Sequence, residues 1–134
     1  MRMFSTSISG EDSEYINSIL MSGEIGFGKN VGLFEDRFSS FSKKSYNIST
    51  NSASAAAFII FSYLRELYGT CDVYTTSLGF TSPAWAAKHF KHNLIFVDVN
   101  DDLQFCSNHY QSIRKETNNK IVLMPVLYGG VSTI

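Results

Sequence analysis

The sequence predicts an α/β domain built on a mostly parallel sheet flanked by helices. Three observations predict it. From residue 46 onward, short apolar segments alternate with segments of helical periodicity, in the order β-α-β-α-β-α-β. Those short segments are continuously apolar, as expected of strands covered on both faces. The 134 residues are 44% hydrophobic and 14% aromatic, enough for one domain with a sizeable core and not for two.

Each element has its own signal. A helix is expected over about 11–21, where Tyr15 pairs with Ile19 and Ile16 with Leu20 at i,i+4. Glu11 and Asp12 suit its first turn, and Gly23 can end it. A second helix is expected over about 31–42. Val31, Phe34, Phe38 and Phe41 recur at helical spacing and read as core. Residues 46–49 read as a short strand. Residues 52–68 read as a helix apolar almost all round, with Ser62, Arg65 and Glu66 as its polar strip, and so buried on most sides. Cys71 to Thr76 reads as a strand. Ser82 then reads as an N-cap with Pro83 at the first helical position, opening a helix to about Phe90. A strand over 94–99, a helix over 107–116 and a strand over 121–127 complete the order. Residues 1–45 therefore read as an N-terminal helical arm and 46–134 as an incomplete α/β domain. The last expected strand ends at Leu127, seven residues before Ile134, with no helix to cover it. Exposed apolar surface and an obligate association are expected from that.

Composition narrows the function classes. A net charge of −1 and a pI near 6.3 give no polybasic surface for nucleic acid or acidic membranes. The N-terminus has no apolar stretch of signal-peptide type, and the apolar run Ala55–Phe61 is too short to span a bilayer. A cytoplasmic protein is the expectation. Cys71 and Cys106 fit no metal spacing; two free thiols are the simpler reading, one bridge the alternative.

In a parallel sheet, ligands bind beyond the carboxyl ends of the strands. The sharpest local signal there is Thr50-Asn-Ser-Ala-Ser-Ala-Ala-Ala57, small residues at a strand-to-helix turn. Free N–H groups and the helix dipole make such a turn an anion site, with Ser52 and Ser54 as added donors. A simple N-cap with small residues for close packing explains the same pattern equally well. Phe80, in Ser77-Leu-Gly-Phe80-Thr-Ser-Pro83, can stack on a planar ring, although by itself it reads first as core. The glycines of 23–28 lie between two helices rather than after a strand, which disfavours a dinucleotide loop. His89 and His92 lack a third ligand and read as a solvated helix end beside Lys88 and Lys91. Asp98, Asp101 and Asp102 suit caps and turns better than a cation site. Cys106 has no adjacent base, and Trp85 reads as core. No metal site is expected.

Five ordered segments resemble the DegT/DnrJ/EryC1/StrS family of sugar aminotransferases. Ser22-Gly23, Gly28, Val31 and Phe34-Glu35 resemble its SG-x4-G-x2-V-x2-FE pattern. Thr50-Asn-Ser-Ala-Ser-Ala-Ala stands at its small-residue turn, and Gly79-Phe80-Thr81 in place of its TF-x-A-T segment. Phe96-Val-Asp98-Val resembles FVDVD, and Lys120-Ile-Val-Leu-Met-Pro125-Val its strand before HLYG. The resemblance implies part of a three-layer type I aminotransferase large domain that uses pyridoxal phosphate. It implies a homodimer, or a partner carrying the remaining part, and a nucleotide-activated keto-sugar with an amino donor as substrates. By position, Ala53 and Ser54 would hold the cofactor phosphate and Phe80 would stack on its ring. The 23–28 loop would lie near the sugar-nucleotide entrance.

The sequence also departs from the pattern. The usual glycine and threonine of the small-residue turn are absent, as is the HLYG histidine. The family's reactive lysine and its ring-pairing aspartate belong further along, and none of the seven lysines here matches by motif. No catalytic residue is therefore expected within this chain. A non-catalytic, degenerate or split-gene subunit is the alternative. The TNSxS turn leans slightly towards the related sugar 3-dehydrases.

Overall fold

The computed structural model describes residues 6–130. The chain divides into two compact units, Met1–Ser49 and Thr50–Ile134.

The first unit holds α1 (Gly10–Ser22) and α2 (Lys29–Ser42). A capping box starts α1: the Ser9 hydroxyl accepts the Asp12 N–H at 3.1 Å, and the Asp12 carboxylate accepts the Ser9 N–H at 2.8 Å. Gly23 ends the helix in the left-handed conformation, φ 75°, as expected from its position. The aromatic stripe of α2 does not form a core. Phe34 and Phe41 are 57% and 81% exposed, because neither helix buries a residue among those described. The strand expected at 46–49 is also absent. Its polar groups bond to α2 instead. Asn47 donates to the Ser39 hydroxyl, and Ser49 N–H and hydroxyl both donate to the Glu35 carboxylate, at 2.7 and 2.9 Å. Those two bonds hold the Glu35 carboxyl below its usual range.

The second unit runs α3 (Ala53–Tyr68), β1 (Cys71–Thr76), α4 (Ser82–His89), β2 (Asn93–Val97), α5 (Ser107–Ile113) and β3 (Lys120–Met124). The strands form a parallel sheet in the order β2-β1-β3, with Val73 opposite both Leu94 and Val122. The central strand β1 is buried throughout. Its side chains alternate between two cores. Cys71 and Val73 pack with Ala57 and Phe61 of α3 and Ala86 and Ala87 of α4. Tyr74 packs on the other face with Val97 and with Tyr110 of α5. The result is a helix–sheet–helix sandwich of the expected α/β class.

Several expected elements shorten. The 94–99 strand stops at Val97 and the 107–116 helix at Ile113. The 121–127 strand stops at Met124, one residue before Pro125, which has no N–H for a ladder. α3 is not buried on most sides. Only Ala57 and Phe61 are buried, while Ile59, Ile60, Tyr63 and Leu67 are half-exposed or more. A single sheet covers one stripe of a helix, and nothing described within this unit covers the opposite one.

Candidate cofactor site

Only Gly69, which ends the helix, and Thr70 connect α3 to β1, so the helix runs back along the strand. Its N-terminus therefore stands at the carboxyl ends of the strands. The first four N–H groups of a helix lack partners within it. Here Ala55 N–H is accepted by the Ser52 hydroxyl at 3.2 Å and Ala56 N–H by the Ser52 carbonyl at 3.1 Å. Among the described hydrogen bonds none uses the N–H of Ala53 or Ser54. The turn thus leaves two donors free, at the two residues that the resemblance selects. Ser52 is the N-cap, and the phosphate-turn and capping readings describe different residues of one turn.

The Ser54 side chain reaches the start of α4. Its hydroxyl is hydrogen-bonded to that of Ser82 at 2.8 Å. Ser82 is the first residue of α4, not its N-cap as expected; Thr81 takes that place without a side-chain hydrogen bond. The bond ties the small-residue turn to the loop carrying Phe80. Phe80 is not a core residue: it is 79% exposed. Gly79, just before it, has φ +148°, which side-chain-bearing residues rarely adopt. A Cβ there would meet both methyls of Val126 at 3.1 Å, so the segment after β3 backs the Phe80 loop. The loop forms one wall of an apolar cavity of about 320 Å³ with Trp85, Leu94 and Phe96. Lys88 lines it and no carboxylate does. Ala53 and Ser54 are not part of this wall. Trp85 also departs from expectation, being 59% exposed beside Phe58 and His89.

Pyridoxal phosphate carries one anionic group and one flat ring. The residues fit both: two free N–H groups and a hydroxyl pair for the anion, and an exposed aromatic ring two residues before Ser82. Ala53 and Ser54 would hold the phosphate, and Phe80 the ring.

The other candidates have structural roles. His92 is 5% exposed rather than solvated. Its Nδ1 accepts the Cys71 N–H at 3.0 Å, so Nε2 carries the proton and donates to the Phe61 carbonyl at 2.9 Å. Both ring nitrogens are engaged, which removes it as a metal ligand with His89. Cys71 and Cys106 are free thiols, and burial, with the Asp72 charge next, pushes the Cys71 thiol up. Asp98 accepts the Val99 N–H, but the turn after β2 is organised chiefly by Asn100, whose side chain accepts from Asp102 and Gln104 N–H. Sequence reasoning missed Ser82, Val126 and Asn100. Only the Asn in a polar run carried a turn signal. The 23–28 loop joins α1 and α2, with Phe27 90% exposed.

The family model of the DegT/DnrJ/EryC1/StrS aminotransferase family matches residues 6–133. The chain belongs to this family. Helicobacter pylori PseC, described as an aminotransferase involved in the biosynthesis of pseudoaminic acid, superposes with a TM-score of 0.75 at 20% identity. That match covers 86% of this chain and 31% of PseC. A GDP-4-keto-6-deoxymannose-3-dehydratase with a trapped PLP–glutamate geminal diamine superposes with a TM-score of 0.78 at 16% identity, over 87% of this chain and 32% of that one. A DegT DnrJ EryC1 StrS aminotransferase from Brucella abortus gives 0.69 at 19% identity, over 87% and 33%. These likenesses show the shared fold. The chain spans about a third of the length of each. No curated protein matches it. Among the described residues no helix is long and apolar enough to cross a membrane.

Proposed function

We propose that this chain is the cofactor-holding portion of a pyridoxal-phosphate-dependent aminotransferase that converts a nucleotide-activated keto-sugar to an amino-sugar in the cytoplasm, for surface polysaccharide. One observation carries the reading. The two free N–H groups at Ala53 and Ser54 belong to a turn bonded, through Ser82, to the loop that exposes Phe80. Family membership and neighbours whose names specify sugar biosynthesis support the substrate class. Bound cofactor supplies the electron sink for amino-group transfer. This chain's residues bind and orient it: the turn fixes the phosphate and Phe80 fixes the plane of the ring. No residue here is assigned a catalytic role; the family's reactive lysine has no counterpart by motif among residues 1–134.

The test uses deoxypyridoxine phosphate and deoxypyridoxine, which lack the aldehyde and cannot label lysines. Binding is read from the fluorescence of Trp85, the single tryptophan, which shares a cavity with Phe80. We expect the phosphorylated ligand to bind at least about tenfold more tightly, the effect of a few charge-assisted hydrogen bonds. Equal binding of the two would overturn the reading.

A further inference from the structure

We propose that Ser82 is a positioning residue for the anion site, holding the Ser54 hydroxyl so that the pair acts as one directed donor. The proposal rests on the reading of Ser54 as a phosphate ligand. The two hydroxyl oxygens lie 2.8 Å apart between the first turns of α3 and α4. Capping explains neither of them. α3 is already capped by Ser52, and Ser82 lies inside α4, after its N-cap residue. What fixes Ser82 in place is backbone: Pro83 follows it, and Trp85 N–H closes the turn on the Thr81 carbonyl at 3.0 Å.

Proton counting gives the pair its function. Two hydroxyls carry two protons, and the bond between them engages one. Without an anion, either hydroxyl can donate to the other across the 2.8 Å contact. With a phosphate at the turn, one of the two arrangements is selected. The Ser54 proton turns to the phosphate oxygen and the Ser82 proton to the Ser54 oxygen. A hydroxyl that accepts a hydrogen bond is a stronger donor, so Ser82 strengthens the Ser54 contact without touching the ligand. It also selects one Ser54 rotamer before the ligand arrives.

The test compares Ser82→Thr with Ser82→Val, which share a shape and differ in the hydroxyl, alongside Ser54→Ala and the Ser54→Ala/Ser82→Val double variant. The quantity read is the ratio of deoxypyridoxine to deoxypyridoxine phosphate dissociation constants, from Trp85 fluorescence. The proposal expects Ser82→Val to lower the ratio about three- to fivefold, the size of one hydrogen bond's contribution. Ser82→Thr should keep the wild-type ratio, and the double variant should match Ser54→Ala alone. A purely structural role would lower the melting temperature of Ser82→Val and leave the ratio intact; that result would overturn the proposal. So would fully additive losses in the double variant. A wild-type ratio near one overturns the cofactor reading itself. A ratio that Ser54→Ala abolishes and Ser82→Val preserves overturns this inference alone.

Discussion

Asp72 shows what a buried carboxylate does at the end of the sheet away from the site. It is the second residue of β1 and is 6% exposed. Burial raises its carboxyl, but amide donors from Asn93 at 2.7 Å and Asn119 at 2.9 Å, with Thr117 and the Lys115 charge, outweigh that and leave it below the usual range. Asp72 thereby ties the start of β2 to the start of β3. The sign of the pH effect follows. A carboxyl with a depressed folded-state value contributes stability that is complete above its unfolded value, about 4, and lost as pH falls through the lower folded one. Denaturant unfolding below about pH 4 should therefore weaken the wild type more steeply than Asp72→Asn, which has no proton to take up. At neutral pH Asp72→Ala should cost about 1–3 kcal/mol, since it removes the charged acceptor of two amide hydrogen bonds. Identical acid limbs in wild type and Asp72→Asn would contradict the account. Residue roles of this kind were poorly legible in the sequence. His92 looks like a solvent-facing residue until its partner, 31 positions away in the chain, is in place, and the Asn119 partner of Asp72 is 47 positions away.

At the scale of elements the helices were the most legible, because their signals are local. The Ser52 cap, the Gly23 terminus and Pro83 in the first turn of α4 all act within a few residues. The strand at 46–49 failed for the complementary reason. Apolar β-formers make a strand only beside a partner edge, and Asn47 and Ser49 find their partners on α2. The candidate site divides in the same way. The small-residue turn was readable as a pattern. The Ser54–Ser82 bond that connects it to Phe80 spans 28 residues and was not. Gly79 is where an element-scale test applies. Gly79→Ala combines an unfavourable φ of +148° with a 3.1 Å approach to Val126, a cost of about 1–3 kcal/mol. The variant should melt lower and lose Trp85 quenching by deoxypyridoxine phosphate as the Phe80 loop shifts. Val126→Ala in the same chain should recover part of the stability by removing the contact, but not the part due to φ. Full recovery, or no loss at all, would contradict this.

The second unit is a sandwich with large exposed apolar faces. Ile59, Ile60, Tyr63 and Leu67 on α3, Phe96 on β2 and Leu123 on β3 are each half-exposed or more. Exposed apolar area on this scale marks contact surfaces. The chain matches about a third of each superposed structure. Sedimentation of the purified chain should show oligomers that grow with concentration. A single monomeric species over a hundredfold range, about the span the method covers, would contradict an association built on these faces.

In the proposed function, a turn of small residues grips the anion of pyridoxal phosphate through two backbone N–H groups. The most direct measurement is backbone amide NMR of the chain during titration with deoxypyridoxine phosphate. The account predicts that the amide protons of Ala53 and Ser54 move downfield together, saturating with one affinity, while those of Ala55 and Ala56, already hydrogen-bonded to Ser52, move little. Shifts that gather around lysines elsewhere and leave Ala53 and Ser54 in place would contradict it.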